Sequence, residues 1–439
     1  MFLPEEASRP IQSTSSTADE AVVAELPLPH DFLLGSATAA YQIEGAAFQD
    51  GKGPSIWDEF AHLNPSRTNG KQGDVACDHY NRVDEDLDLM TNYGLEAYRF
   101  SIAWSRMIPL GGRNDPVNEK GVAFYNKLID GLIARGIKPK RYGGMLNTSE
   151  FQADYVNFAR LCFMRFGDRV SQWITFNEPY IISVFGFHNG IVAPGRSAAT
   201  GHDSATEPFL AAHSIILAHA ATNEVYAQEF QATQKGSVSI VLNSDYYEPF
   251  DRDSEADKAA AERRLVFYLS WFADPIYLGA DYPKSMRDRL GARLPEFTEA
   301  ERQLLKRTAP NNTIYGMNHY TSQFARARTT EPAGDDLTGN VEELAFDSNG
   351  MEIGPPSGVS WLRVTQVQFR KLLGWIWNRE NDMTVEEAVN DEFRVRYFGL
   401  YLDEISRATY EDGVKVSGYF AWSLMDNYGK FRPTATLQR

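Results

Sequence analysis

The sequence predicts an α/β fold in which a parallel sheet is wrapped by helices. Two observations carry that expectation. Short apolar runs rich in β-branched and aromatic residues alternate along the chain with amphipathic helical stretches. Those stretches begin and end on residues with helix-end chemistry, and no internal repeat replaces the alternation. With 439 residues and 43% hydrophobic content the chain is long enough for one large barrel or two to three domains, and composition does not choose between them.

The strand runs are, in order, FLLGSATAA (32–40), EAYRFSIAW (96–104), QWITFNE (172–178), SVSIVLNS (237–244), TIYGMNHY (313–320) and VSGYFAWSLMD (416–426). Between them, Phe124, Leu128, Ile129, Leu132 and Ile133 share one helical face, with Gly136 as a C-terminal stop and Pro139 beyond. A further helix is expected over 149–166. Thr298 with Glu301, and Thr384 with Glu387, have capping-box spacing, in which each side chain satisfies a backbone donor of the first turn. Phe369, Leu372, Leu373, Ile376 and Trp377 form another stripe that ends near Arg379. Segment 325–358, rich in Gly, Pro, Asp and Asn, is too long for an ordinary connection and reads as an active-site loop.

The alternation breaks twice. After Gly136 the chain reads IKPKRYGGMLN and enters the next helix with no apolar strand, and after Arg379 it reads ENDM and starts another helix at once. A helix in a right-handed β/α alternation returns to a parallel strand. Two strands are therefore expected to be absent.

The formal charge of −16 opposes binding to nucleic acid or to an anionic membrane surface, and favours a neutral or cationic small molecule. Cys77 and Cys162 are the only cysteines and show no metal-site spacing, so neither a disulfide framework nor a metal centre is expected. The N-terminal residues lack the basic and apolar regions of a secretory leader, and no run is long enough to cross a membrane, so a cytoplasmic location is expected. The sequons at Asn147 and Asn311 then carry little meaning. Residues 1–25 read as a disordered extension and 26–439 as a single domain.

The stretch TFNEP (175–179) places Glu178 at the end of an apolar strand. Together with GSATAAYQIEG (35–45), YRFSIAWSR (98–106), GMNHYTS (316–322) and GYFAWSLMDN (418–427), in that order, it resembles glycoside hydrolase family 1, the β-glucosidases and their relatives. The resemblance spans roughly residues 27–428 and implies a (β/α)8 TIM barrel with its site at the C-terminal ends of the strands. It also implies a retaining β-glycosidase acting on a small-molecule β-glycoside or oligosaccharide, with no cofactor and no metal. One carboxyl group protonates the glycosidic oxygen and later activates water, while a second, about 5 Å away, attacks the anomeric carbon.

By the resemblance Glu178 is the acid/base, and Gln42 and Asn177 bond sugar hydroxyls, Asn177 at the 2-hydroxyl. Arg99 and Tyr320 hold the nucleophilic carboxylate, and Trp422 is the platform under the sugar ring. Plain structural readings stand beside these: Glu178 as a strand-end ion-pair partner, Trp422 as core, Arg99 as a structural ion-pair partner, Gln42 as a satisfied buried amide.

The chain departs from the family in three places. It has no T-E-N-G nucleophile motif, no Y-H-W-D at the third strand, and YGKFRPTATLQR after Asn427 in place of N-F-E-W and the last helix. Glu380 follows a helix with no strand to place it in the barrel, and Lys430 sits in tail sequence without a phosphate-binding motif. The barrel is thus expected to be incomplete, lacking strands 3 and 7 and the C-terminal helix, and activity is expected to be impaired. The alternatives are a glycoside-binding pseudoenzyme and an aberrant splice or gene-model product.

Overall fold

A computed structural model describes residues 32–135, 138–140, 148–357, 360–381 and 395–422. Its strands are β1 (Leu33–Ala37), β2 (Ala97–Arg99), β3 (Lys138–Lys140), β4 (Gln172–Asn177), β5 (Ser237–Asn243), β6 (Tyr246–Pro249), β7 (Gly316–Asn318), β8 (Ser322–Ala327), β9 (Val341–Leu344) and β10 (Gly418–Trp422). Two parallel arcs make the wall, one ordered β10-β1-β2-β3 and the other β4-β5-β7, and β3 runs beside β4. Every hydrogen-bonded pair in both arcs is parallel, so all of these strands end on the same face. Gly35 allows the tight packing of β1, since a Cβ there would lie 2.6 Å from the Ala97 carbonyl oxygen and 2.7 Å from the Phe420 ring.

Helices return the chain from strand to strand: Val83–Asn92 before β2, Glu119–Ala134 before β3, Thr148–Phe166 before β4 and Glu207–Val225 before β5. In Glu119–Ala134 the expected face is buried at Phe124, Leu128, Ile129 and Leu132, whereas Ile133 lies at its margin, 43% exposed. Glu207–Val225 is buried on nearly all sides, which its unbroken apolar content allows. Thr298 accepts from the Glu301 amide and Glu301 returns to the Thr298 amide, so that capping box forms as expected.

Two expectations are corrected. A strand does follow Gly136: β3 pairs with β2 through Ala97↔Lys138, Tyr98↔Pro139 and Arg99↔Lys140. A parallel ladder is built from backbone groups, so three residues with no apolar pattern can join it. Pro139 brings no amide hydrogen, which suits a strand hydrogen-bonded on one side only. Segment 325–358 is not a plain loop, because β8 and β9 pair antiparallel within it and β8 pairs parallel with β6, forming a small sheet outside the wall. Residues 382–394, where the strand-7 gap and the Thr384–Glu387 pair fall, lie outside the described residues, as do 1–31 and 423–439.

Two buried polar networks hold the strand ends. Arg106 donates through Nε to Glu44 Oε2 (2.9 Å) and through Nη2 to the Gly45 carbonyl (3.1 Å), while Tyr125 donates to Glu44 Oε1 (2.7 Å). This ties the turn after β1 to the segment after β2. Behind β4, His219 Nδ1 meets Thr175 Oγ1 (2.7 Å) and its Nε2 meets Asn312 Oδ1 (2.9 Å). Burial pushes this imidazole down to about 4, so it is neutral at physiological pH and acts as a hydrogen-bonding strut.

Removing one member of a buried pair leaves the other charge uncompensated. Glu44→Ala is expected to lower unfolding free energy by roughly 3–5 kcal/mol. Tyr125→Phe should cost only about 1–2 kcal/mol. Urea titrations of the two variants check both values.

Candidate active site

The wall's shared C-terminal face collects the polar residues. Arg99 is the last residue of β2, Asn177 of β4, Asn318 of β7 and Trp422 of β10, and Gln42 lies in the short helix Ala40–Ile43 that follows β1. Alternating side-chain direction along a strand sends the residues just before these into the core and these outward at the rim. Glu178 then turns sharply out of β4. Its φ is +56°, left-handed backbone for a residue with a Cβ, and its amide donates to the Val241 carbonyl at 2.8 Å. Such a conformation costs on the order of 1–3 kcal/mol and persists where neighbours over-determine it.

Those neighbours form one network. Asn318 Nδ2 donates to Asn177 Oδ1 (2.9 Å) and to Glu178 Oε1 (2.8 Å). Tyr320 donates its phenol proton to the same Oε1 (3.0 Å), and Arg99 Nη1 donates to Asn177 Oδ1 (2.5 Å). Asn177 thus has its oxygen engaged by two donors and presents Nδ2 as its remaining group. Glu178 likewise has both bonds on Oε1, and no other donor or acceptor among the described residues reaches Oε2. Oε1 is thus held as an acceptor by two donors, which sets the plane of the carboxyl group. The residues of the cluster are all half-buried, so the group is held by the protein yet open to solvent.

Asp245, two residues beyond β5, accepts weakly from Gln323 Nε2 (3.4 Å). Glu343 on β9 pairs with Arg264 (2.6 Å) and accepts from Tyr247 (2.9 Å), and Arg264 also donates to Tyr180 (3.0 Å). Asp245 is only partly buried as a residue, but its carboxyl group is taken out of water. That burial, followed by the Glu343 carboxylate, pushes it up to about 7 against the opposing pull of Gln323 and Arg264, with Glu178 adding to the rise.

The model of Glycosyl hydrolase family 1 matches residues 24–434. The chain belongs to this family. It is 45% identical to Beta-glucosidase 1B of Phanerodontia chrysosporium over 435 residues, 91% of this chain and 79% of the relative. A family 1 β-glucosidase from the fungus Humicola insolens, solved in complex with glucose, superposes with a TM-score of 0.87 at 43% identity, covering 93% of this chain and 92% of that one. Beta-glucosidase 2 from Trichoderma reesei, solved with Tris, gives a TM-score of 0.84 at 44% identity, covering 92% and 91%. The wall described above is accordingly that of a (β/α)8 barrel.

Of the residues singled out in the sequence of this family 1 chain, the structure joins Arg99, Asn177, Glu178 and Tyr320 into one hydrogen-bonded group. Gln42 is buried in the short helix after β1, and Trp422 stands in register with Ala37 while its side chain lies outside the described residues. Among the described residues Arg99 donates to Asn177 and Tyr320 to Glu178. The segment in which the T-E-N-G motif would stand lies outside the described residues. Sequence reasoning missed Asn318, although it sits inside the quoted GMNHYTS motif between two residues of alternating direction. It also missed Asp245 and Trp361, which is 53% exposed and meets the Tyr320 ring edge to face at 6.2 Å.

The position of Asp245 has a consequence for stability. Its folded value lies above the unfolded value of 3.8, so between about 4 and 7 the folded state binds more protons than the unfolded state, and stability falls as pH rises through that window. Above pH 7 the full penalty of a desolvated carboxylate is present. Asp245→Asn is expected to raise Tm by a few degrees at pH 8 and to leave it unchanged near pH 4, as read by calorimetry at the two pH values.

Proposed function

We propose that this chain carries a β-glucosidase-type site for O-glycosidic bonds, with Glu178 as the acid/base of a retaining double displacement. The observation that carries this reading is the one-sided hold on the Glu178 carboxyl group. Asn318 and Tyr320 fix Oε1 as acceptor and leave Oε2 to deliver a proton to a leaving oxygen and later to take one from water. In this reading Asn177 meets the 2-hydroxyl through Nδ2, Gln42 bonds further hydroxyls, Trp422 stacks on the sugar face and exposed Trp361 borders the aglycone side. Relatives named as β-glucosidases, one of them solved with glucose, support a β-glucoside as the substrate class.

We further propose that turnover by this chain is slow. The sequence holds no T-E-N-G motif, so the carboxylate that would form the glycosyl-enzyme is missing, and Glu380 lies on a helix, Gln366–Asn381, rather than at a strand end. A short in-frame segment lost near codon 379, and a second near codon 140 that would carry the His-Trp pair, would account for two of the three departures while leaving the remaining site intact.

Hydrolysis of an aryl β-glucoside is the direct test. The chain is expected to run roughly 10³–10⁶-fold below the fungal relatives, the scale for loss of a nucleophile in another hydrolase. Glu178→Gln should then change little further. Turnover within tenfold of those relatives would overturn the slow-turnover reading, and sugar binding with no turnover even after the Glu-Asn-Gly segment is restored would favour a binding protein.

A further inference from the structure

The left-handed turn at Glu178 is held through its side chain by Asn318 and Tyr320, and its backbone is held as well. The Glu178 amide donates to the Val241 carbonyl (2.8 Å), and the Glu178 carbonyl accepts from the Ile182 amide (3.1 Å). Pro179 follows, and its ring fixes the next φ, so Tyr180 moves with Glu178 as one unit. Whatever anchors the Tyr180 side chain therefore also anchors the turn.

Tyr180 is buried, and its hydroxyl accepts from Arg264 Nη2 (3.0 Å). Its ring stacks on Tyr268 with centroids 3.8 Å apart and meets Trp271 edge to face at 6.0 Å. Tyr268 accepts in turn from Asn243 Nδ2 (2.9 Å), and Asn243, the last residue of β5, stands in register with Asn318 on β7. Arg264, on the helix Glu255–Leu265, is buried among these groups, with its guanidinium carbon over the rings of Tyr180, Tyr247 and Tyr268 at 5.5, 5.1 and 4.8 Å. Its Nε donates to Glu343 Oε1 on β9 (2.6 Å), an oxygen that also accepts from Tyr247 (2.9 Å). One guanidinium thus reaches the outer sheet through one nitrogen and the Glu178 segment through another. The planar fork and flat face of an arginine suit this arrangement, whereas an ammonium group on a flexible stem has neither.

We propose that Arg264 is a positioning residue of this site, which tethers Tyr180 to Glu343 and so sets the Glu178 turn against the outer sheet. It acts through Tyr180 rather than on a ligand. A left-handed residue persists where its surroundings over-determine it, and the tether supplies that from the chain just after Glu178, as Asn318 and Tyr320 do from the carboxyl group. The outer sheet then helps to fix the direction in which the Glu178 carboxyl group emerges. Its bearing on catalysis rests on the acid/base reading of Glu178, but the hold on the turn does not.

Site-resolved hydrogen exchange of the whole chain reads the turn directly, with the Thr38 amide, which donates to the Arg99 carbonyl (2.8 Å) in the other arc, as its control. In Arg264→Met the Glu178 amide is expected to exchange roughly 10- to 100-fold faster, the scale for losing a hydrogen bond to a charged group, while Thr38 keeps its rate. Arg264→Lys is expected to regain thermal stability without regaining protection at Glu178. Glu343→Gln should weaken the same amide and add nothing further when combined with Arg264→Met, because both cut one tether. Tyr180→Phe removes a single oxygen and keeps the stack, so it should speed exchange at Glu178 alone, and this arm decides the matter even if the Arg264 variants do not fold. Equal losses at Glu178 and Thr38, full protection in Arg264→Lys, or a Glu178 amide indifferent to Tyr180→Phe overturns the proposal. Failure of glucose to bind, measured in parallel, would overturn the glycosidase reading while leaving the tether in place.

Discussion

One amide group joins the two halves of the site. Asn318 Nδ2 donates at once to Asn177 and to Glu178, and it can do so only because β5 pairs with β7 and β4 with β5 in fixed register. A slip of one residue in either ladder would turn Asn318 inward and leave the left-handed turn at Glu178 without the contacts that hold it. The register between β4 and β5 shifts between Ile174 and Asn177, so the last residues of β4 are re-aimed just where the carboxyl group must emerge. Strand pairing, a local irregularity and one side-chain amide together determine where the Glu178 carboxyl group sits.

Much of this was legible in the letters. The six apolar runs all contain strands, and the capping box at Thr298 and the stripe beneath Phe124 follow from patterns that the physics of burial and helix ends writes directly into sequence. β3 was not legible because its pairing is made by backbone groups, and the segment Lys138–Lys140 carries no apolar signature. The outer sheet was hidden for a related reason. β8 and β9 lie among turn residues, and their partner β6 is separated from them by the whole of the Glu255–Tyr277 helical segment.

In the site, the residues recovered were those embedded in short ordered motifs. Asn318 stood in plain view, but its role depends on two hydrogen bonds to residues some 140 positions away, which no local pattern encodes. Asp245 is further from sight still. Nothing about an aspartate after a strand distinguishes a solvated turn from a desolvated carboxyl group, since the difference is made by burial and by groups from other segments, Glu343 on β9 and Arg264 on a helix. Motifs report what one segment contributes, whereas electrostatics reports what several segments do to each other.

The outer sheet changes how the barrel's rim is built. The chain leaves β5 directly into β6 and leaves β7 directly into β8, and β6 and β8 then pair parallel just as a neighbouring pair inside the wall does. Two staves of the barrel are in effect extended past the rim as a common spout, with β9 as its outer edge. A rim made this way is continuous with the wall rather than laid upon it. Variation in the turn between β8 and β9 can reshape the mouth while the pairing that runs down into the wall keeps the floor of the site where it is.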